Sequence, residues 1–372
     1  MFRHTIPIGR IFGIPIELDY SWFLIFGLLT WVLAVSYYPS EFKNGSVPEY
    51  WFMGAITAVL LFVSVLLHEL GHALVAIRYK VPVSKITFFI FGGVSQIATE
   101  PPGAGAEFWV AIAGPAVSFG LAIIFWELRP VVMHVAPLLA LTKYLALLNS
   151  VLGVFNLIPG FPLDGGRIFR AIVWGLNHNF QRATVAAAVT GRFFGFLFIF
   201  LGIWQVLAGN FINGLWIAFI GWFLESAAAS QVQQQIVKDL LAGHRVSELM
   251  NRDYVQVPGD ITLQELVDKR VLAGGHRWFV VTRDGVFAGL VTLSEIKKIP
   301  RSSWPTTTAA QAMIASEKLI SVDPNAEVWT TIEKMGRDGI NQIPVIEDSA
   351  IVGMLSRDDL IHYLGILRTL SA

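Results

Sequence analysis

The sequence predicts a polytopic α-helical membrane domain, with six transmembrane helices and a small cytoplasmic-side β element, followed by a soluble α/β tail of two repeated units. The 372 residues are 54% hydrophobic and 15% charged, whereas soluble proteins carry about 25% charged residues. Residues 1–230 hold only 22 of the 54 charged side chains, and residues 231–372 hold the other 32. The first part is therefore composed like a bilayer protein and the second like a soluble one.

The balance of charge and the lack of cysteine exclude several classes of function. The chain has 27 basic and 27 acidic residues, so it offers no cationic surplus to a polyanion and we expect no nucleic-acid partner. Without cysteine there is no disulfide framework, thiolate metal site or cysteine nucleophile. The segment Met1–Asp19 is interrupted by Pro7, Gly9, Gly13 and Pro15. It is a poor signal peptide, which we expect to stay on the protein.

Six apolar runs are long enough to cross a hydrocarbon core, which takes about 20 helical residues. The predicted spans are Tyr20–Tyr38, Trp51–Arg78, Glu107–Trp126, Val131–Leu157, Ala183–Leu207 and Phe211–Ala229. The fourth contains Lys143, which either lines the bundle interior or lies in an interfacial turn.

Basic residues give the orientation of these spans. Those on the N-terminal side of the membrane are Arg3, Arg10, Arg78, Lys80, Lys85, Arg167, Arg170 and Arg182. The opposite loops hold only Lys43 and Arg129. Because basic loops stay inside, we expect a multi-pass protein of the cell membrane with both termini and the tail in the cytoplasm.

The tail divides into two similar halves. After a transmembrane domain of residues 1–230 and a linker of residues 231–243, we predict one repeat over 244–300 and a second over 301–372. Each half has the pattern helix–strand–helix–strand–strand and ends in a matching turn, Gly289–Glu295 in the first and Gly353–Asp359 in the second. A duplicated unit of this length predicts two halves stacked on each other, each burying a face of the other.

The second span carries His68, Glu69 and His72 in an apolar helix. Residues four apart project from one helix face, so both imidazoles can reach one ion, and the adjacent glutamate can address a water beside that ion. Zinc hydrolases use this arrangement. Ionisable residues within a membrane helix are functional by default. A structural hydrogen-bonded cluster and a proton relay in a transporter are the alternatives.

A catalytic zinc site needs a third protein ligand. Asp164 is the best candidate, because the segment from Asn156 to Arg167 contains two prolines and three glycines. Broken helix at membrane depth is tolerated where it lines a polar cavity. The alternatives are His134 or His178 as the ligand, with Asp164 only capping the following helix.

These motifs resemble the site-2 protease family of intramembrane zinc metalloproteases. The resemblance rests on His68–His72, on Asn156 and the Leu163–Gly165 turn, and on two shorter segments, Phe91–Gly93 and Ala113–Pro115. The tail resembles a pair of cystathionine-beta-synthase (CBS) domains, a fusion known in one subgroup of the family.

The family resemblance implies a role for each matching residue. His68, His72 and Asp164 would bind one Zn²⁺, and Glu69 would be the general base and later the proton donor. Asn156 would hold the substrate carbonyl or its oxyanion. The implied partners are the lipid bilayer and a membrane-spanning substrate helix.

The segment Lys85–Ala98 is rich in β-branched and aromatic residues, which favour strands. We expect a hairpin at the cytoplasmic face around Gly92 and Gly93, possessing an edge that adds the unwound substrate as a further strand. A packed structural hairpin is the alternative. Residues Ile6–Asp19 are also strand-like and are expected in the same sheet.

The CBS resemblance implies an adenine nucleotide (ATP, ADP or AMP) in the cleft between the repeats, as a regulator. Its contacts would be Ser356 and Asp359 in the second repeat and Thr292 in the first, where the family's aspartate position holds Glu295. A dimerisation module with an empty cleft is the alternative. Paired tails of this kind often associate, so we also expect a homodimer through the CBS domains.

Two other functions remain open from the sequence. A transporter or channel with a CBS tail explains the spans but does not require the histidine pair and Asp164 together. A homologue that keeps the metal and has lost proteolysis is the other.

Overall fold

The computed structural model describes residues 5–90, 92–97, 101–274, 276–348 and 350–371. The chain divides into two compact units, Met1–Gln235 and Ile236–Ala372. Phe91, part of the glycine-bearing segment singled out above, lies outside the described residues, as does Ala98.

The first unit combines long helices with one small sheet. Its strands are β1 (Thr5–Ile11), β2 (Ile14–Asp19), β3 (Val83–Phe89) and β4 (Gly92–Ile97). Its helices are α1 (Ser21–Val32), α2 (Tyr38–Glu41), α3 (Val47–Arg78), α4 (Ala104–Val132), α5 (Ala136–Asn156), α6 (Asp164–Asn177), α7 (Phe180–Leu207) and α8 (Phe211–Leu241), of which the residues after Gln235 belong to the second unit. A π-helical stretch, Leu33–Tyr37, joins α1 to α2.

Six helices among the described residues are long and apolar enough to cross a membrane: Ser21–Glu41, Val47–Arg78, Ala104–Val132, Ala136–Asn156, Phe180–Leu207 and Phe211–Leu241. The predicted fold class is therefore confirmed. The predicted ends were less accurate, because hydropathy does not report caps. The second span begins at Val47 because Ser46 and Glu49 form a capping box there.

The fourth span also differs from its prediction. Val131 and Val132 belong to α4, and α5 begins at Ala136, with Pro137 in its first turn. Lys143 Nζ donates to Glu41 Oε2 at 2.9 Å, where the first span ends. The Lys143 side chain is exposed and does not line the bundle interior, but the residue lies within α5 and not in the predicted interfacial turn.

The sheet has the order β1-β2-β3-β4, so that β4 forms one edge. Strands β2 and β3 are parallel and the other two pairs are antiparallel. This arrangement confirms that the N-terminal strands share a sheet with the Lys85–Ala98 segment. Lys85 Nζ donates to Glu17 Oε2 at 2.7 Å and lowers the pKa of that carboxyl. Ile16, Ile86 and Phe88 pack against Leu70 and Ala73 of α3.

The second unit contains the two repeats. Its helices are α9 (Val246–Leu249), α10 (Leu263–Leu266, continued as a π-helix over Val267–Leu272), α11 (Leu293–Lys297), α12 (Ala309–Ala312), α13 (Val328–Arg337) and α14 (Arg357–Ser371). Its strands are β5 (Gln256–Pro258), β6 (Trp278–Arg283), β7 (Val286–Thr292), β8 (Ile314–Ala315), β9 (Gln342–Glu347) and β10 (Ala350–Ser356).

The repeats exchange their first helices. Helix α9 precedes the first sheet in sequence, yet Val246 and Leu249 pack in the core of the second half with Val328. Helix α12 opens the second half, yet Ala309 and Ala312 pack in the core of the first. The two halves are therefore intertwined, because each core contains a helix from the other side of the predicted boundary at residue 300.

Candidate metal centre

The two histidines of α3 lie next to each other in the interior of the first unit, Met1–Gln235, which we call the membrane unit. His68 and His72 are each 3% exposed, and their Nε2 atoms are 3.2 Å apart. The four-residue spacing on a continuous helix produces this geometry directly. Both Nε2 atoms therefore point toward one position.

Asp164 reaches the same position from a distant part of the sequence. It is the first residue of α6, and its Oδ2 lies 3.1 Å from each Nε2. Of the residues that the structure describes, these form the one group of three or more histidines and carboxylates with ligand atoms close enough to share an ion.

Helix α4 holds both imidazoles by their other ring nitrogens. Ser118 Oγ lies 2.8 Å from His68 Nδ1, and the carbonyl oxygen of Val110 lies 2.7 Å from His72 Nδ1. A carbonyl only accepts, so the proton of a neutral His72 ring is on Nδ1 and its Nε2 presents a lone pair. Such outer hydrogen bonds orient metal-binding imidazoles.

Gly114 lies between these two contacts on the same face of α4. A Cβ atom there would stand 2.1 Å from His72 Nε2 and 2.6 Å from His68 Nε2. No side chain fits this space. The Ala113–Pro115 segment noted in the sequence thus brings a bare backbone against the two ring nitrogens.

The three ligand atoms fit a zinc ion. Ligands about 2.05 Å from a tetrahedral zinc lie about 3.3 Å apart, close to the 3.1–3.2 Å separations found here. An ionised carboxylate oxygen and the lone pair of His72 Nε2 are both acceptors, so they repel each other unless positive charge lies between them. A metal ion supplies that charge, as does a proton on the ring. Two imidazoles and one carboxylate are a donor set that zinc enzymes use.

The break between α5 and α6 positions Asp164. The prediction of broken helix is confirmed, since residues 157–163 are not helical. A Cβ on Gly166 would lie 2.4 Å from the carbonyl carbon of Gly160. The first turn of α6 can therefore fold directly against the break because Gly166 has no side chain.

A buried ion pair fixes α6 to α4. Arg170 donates through Nε to Glu107 Oε1 at 2.7 Å, and its Nη2 bonds the same oxygen. Glu107 is fully buried, and its Oε2 has no hydrogen-bond partner in the described part of the chain. This pair was missed from the sequence, although an acidic residue at the start of an apolar span was a usable signal.

Glu69 contacts strand β4 of the sheet. Its Oε2 accepts a hydrogen bond of 2.6 Å from Ser95 Oγ. A Cβ on Gly93 would lie 2.8 Å from Glu69 Cγ. Gly92, at a backbone φ of +125°, begins the same strand. The hairpin expected around Gly92 and Gly93 therefore lies against the residue after His68.

Asn156 ends α5 and is half-buried. Within the described ranges its side chain makes no hydrogen bond, including none to His68, His72 or Asp164. The predicted role in holding a substrate carbonyl stays a prediction.

The second unit has a cavity of about 530 Å³ between its repeats. Thr292 and Ser356 line it, together with the cations Arg277, Lys318 and Arg357. Asp359, the third predicted nucleotide contact, instead accepts bonds from Ser356 N at 2.8 Å and Ser356 Oγ at 2.5 Å. The turn that was expected to bind ribose thus also caps α14.

Known families match both units of the chain. The model of peptidase family M50 matches residues 56–134 and 130–201, and the CBS domain model matches residues 246–302 and 310–366. These ranges contain His68, His72 and Asp164 in the first case and Thr292, Ser356 and Asp359 in the second.

Several relatives match along nearly their full length. A protein of Mycobacterium tuberculosis that carries the name zinc metalloprotease Rip3 is 34% identical over 98% of this chain and 94% of its own length. Zinc metalloprotease MJ0392 of Methanocaldococcus jannaschii is 30% identical over 98% and 97%. The solved structure of a site-2 protease from the same archaeon is 33% identical, covers 62% of this chain and 95% of its own, and has a TM-score of 0.44.

Proposed function

This chain belongs to peptidase family M50, the site-2 proteases, and we propose that it is an intramembrane zinc metalloprotease that cleaves membrane-anchored proteins in or near their transmembrane segments. It is a multi-pass membrane protein with a tail of two CBS domains. One observation carries the proposal. The Nε2 atoms of His68 and His72 and the Oδ2 atom of Asp164 lie within 3.2 Å of one another, although Asp164 is 92 residues or more from the histidines in sequence.

In this proposal His68, His72 and Asp164 hold the zinc ion. When bound, Zn²⁺ supplies Lewis-acid activation of water and of the scissile carbonyl. Glu69 accepts the proton of the attacking water and passes it to the nitrogen of the leaving amine. The buried imidazoles keep their orientation through Ser118 and the Val110 carbonyl.

The free edge of β4 receives the substrate. A peptide bond inside a helix is protected by the helix's own hydrogen bonds, so the substrate must unwind before cleavage. Strand addition restores its backbone hydrogen bonds, and Gly92 and Gly93 offer an approach without side chains. Asn156 holds the substrate carbonyl, as the family resemblance implies.

The orientation and the tail complete the proposal. Basic loops favour a cytoplasmic location for both termini and for the tail. The transmembrane domain takes residues 1–230, the linker residues 231–243, and the CBS repeats residues 244–300 and 301–372. The cavity beside Thr292 and Ser356 binds an adenine nucleotide as a regulator, and the tail pairs two chains in a dimer.

Zinc content and cleavage measured together test the catalytic proposal. The purified chain in detergent is assayed for zinc and for cleavage of a single-span reporter protein with a helix-destabilising Asn–Pro pair in its span. We expect about one zinc per chain and cleavage for the wild type. Glu69→Gln should keep the zinc and lose cleavage, and Asp164→Ala should lose both.

Glu127→Gln is the matched control, because Glu127 is exposed on α4 and should change neither quantity. A transporter would show no cleavage by any form. An inactive metal-binding homologue would bind zinc without cleaving.

Calorimetric titration of the full chain with AMP, ADP and ATP tests the regulatory proposal. Heat of binding that Ser356→Ala reduces would support a nucleotide in this cavity. No heat with any of the three would end it and leave the catalytic proposal untouched.

A further inference from the structure

We propose that Ser95 is a positioning residue for Glu69, so that the strand offering its edge to the substrate also orients the general base. This inference rests on the proposed function, because it takes Glu69 as the base and β4 as the substrate strand. It adds a residue that neither the sequence motif nor the metal ligand set identifies.

The hydrogen bond itself is of the strong kind. Ser95 Oγ donates to Glu69 Oε2 at 2.6 Å, across 26 residues of sequence. Hydroxyl-to-carboxylate bonds of about 2.5–2.7 Å are charge-assisted and about twice as strong as neutral ones. Glu69 Oε1 has no hydrogen-bond partner in the described part of the chain. One carboxylate oxygen is therefore fixed and the other is left for a proton in transit.

The sheet fixes the donor in turn. Ser95 pairs with Ile86 of β3, and Ile86 is fully buried against α3 beside Leu70 and Ala73. Side chains two apart on a strand share a face, so Gly93 and Ser95 both face Glu69. Gly93 leaves room for the Glu69 stem, and Ser95 holds its head.

The position of Ser95 gives it a second consequence. In the sheet as described, β4 pairs with β3 and its other edge carries no strand. A substrate strand added there would restrain the backbone that carries Ser95. The strand that would receive the substrate therefore also carries the side chain that orients Glu69.

Two other roles for Ser95 make different predictions. If Ser95 merely stabilised the fold, its loss would lower the unfolding temperature and the zinc content. If it contacted the substrate alone, its loss would raise KM and leave kcat unchanged. Loss of a positioning residue instead lowers kcat and leaves the KM, the unfolding temperature and the zinc content unchanged.

The experiment compares Ser95→Ala, Ser95→Thr and Ser84→Ala with the wild type, using the full chain in detergent and the single-span reporter. Ser84 is an exposed serine on β3, so its alanine variant is the matched control. Measured for each are kcat, KM, zinc per chain and unfolding temperature. For Ser95→Ala we expect kcat to fall about 10- to 100-fold, a part of the roughly 10²- to 10⁴-fold that a well-positioned general base contributes.

The same variant should keep its zinc, its unfolding temperature and a KM within about twofold of the wild type. Ser95→Thr should recover most of kcat because it retains the hydroxyl, and Ser84→Ala should match the wild type. An unchanged kcat in Ser95→Ala would overturn the inference, as would a loss confined to KM or accompanied by loss of zinc. Failure of the wild type itself to cleave or to hold zinc would instead overturn the proposed function, and this inference with it.

Discussion

The metal centre and the tail cavity were both predicted from short motifs, but the predicted residues converge on one point only in the metal centre. In the membrane unit His68, His72 and Asp164 bring three ligand atoms to one position. In the tail Thr292 and Ser356 line a cavity, while Asp359 bonds to Ser356 beside it. An ion dictates the distances between its ligands, so the ligand motif is geometrically strict. The Ser356–Asp359 turn also caps a helix, so its polar groups have hydrogen-bond partners without any ligand.

Gly114→Ala should have the largest effect on the metal centre. A methyl group there would stand 2.1 Å from His72 Nε2, so the rings must move and the site must lose its geometry. We expect cleavage to fall at least about 100-fold and zinc per chain to fall with it. Gly120→Ala, on the same helix with no atom within 4 Å of the new methyl, should retain both. Full zinc in Gly114→Ala would show that the rings do not bind the ion in this arrangement.

Glu107→Ala should have the second-largest effect, and it should lower the stability of the fold without removing a metal ligand. Glu107→Ala leaves Arg170 without its buried partner, and breaking a buried ion pair costs about 3–5 kcal/mol. The unfolding temperature of the full chain in detergent measures this. An equal temperature for Glu107→Ala and Glu127→Ala would contradict the anchoring of α6 to α4.

Ser118→Ala should weaken the metal centre without abolishing it. His68 loses the partner of its Nδ1, and losing such a contact lowers metal affinity about 10- to 100-fold. Competition against a zinc chelator gives the ratio of dissociation constants. Ser150→Ala is the control, because among the described residues the Ser150 hydroxyl bonds only the Ala146 carbonyl of its own helix. A zinc affinity equal to that of this control would leave the Ser118 contact without a function.

Asp359→Ala should have the smallest effect and sharpens the contrast with the tail. Ser356 caps α14 by accepting from the Asp359 backbone N–H, and the Asp359 carboxylate accepts from Ser356 in return. Losing this second half of the capping box costs at most about 1 kcal/mol. We expect a small drop in tail stability and unchanged cleavage when no nucleotide is present. Chemical denaturation of the full chain, followed by the fluorescence of tail tryptophans, measures the first quantity. A large loss of cleavage would mean that the turn acts on the membrane unit.

The sequence predicted those features that depend on local periodicity. Helical spacing aligned His68 with His72, and the prolines and glycines after Asn156 located the helix break that presents Asp164. Contacts between distant helices were beyond this reasoning. Ser118 acquires its contact only because α4 packs against α3 in one register, and no pattern in the sequence gives that register.

The tail shows the same limit. The repeat was recognised from matching turns, but α9 and α12 each pack in the opposite half. Sequence order indicates which elements exist and does not indicate which sheet a short connecting helix will cover. Caps such as Ser46 with Glu49 likewise determined where a span begins, where hydropathy had placed its start at Trp51.

X-ray absorption at the zinc edge of the purified wild-type chain would detect the ligands of the ion themselves. If His68, His72 and Asp164 hold zinc, we expect a four-coordinate ion with two imidazole nitrogens and oxygen ligands at about 2.0–2.2 Å. An ion surrounded by oxygen alone, or a protein preparation that holds no zinc, would contradict it.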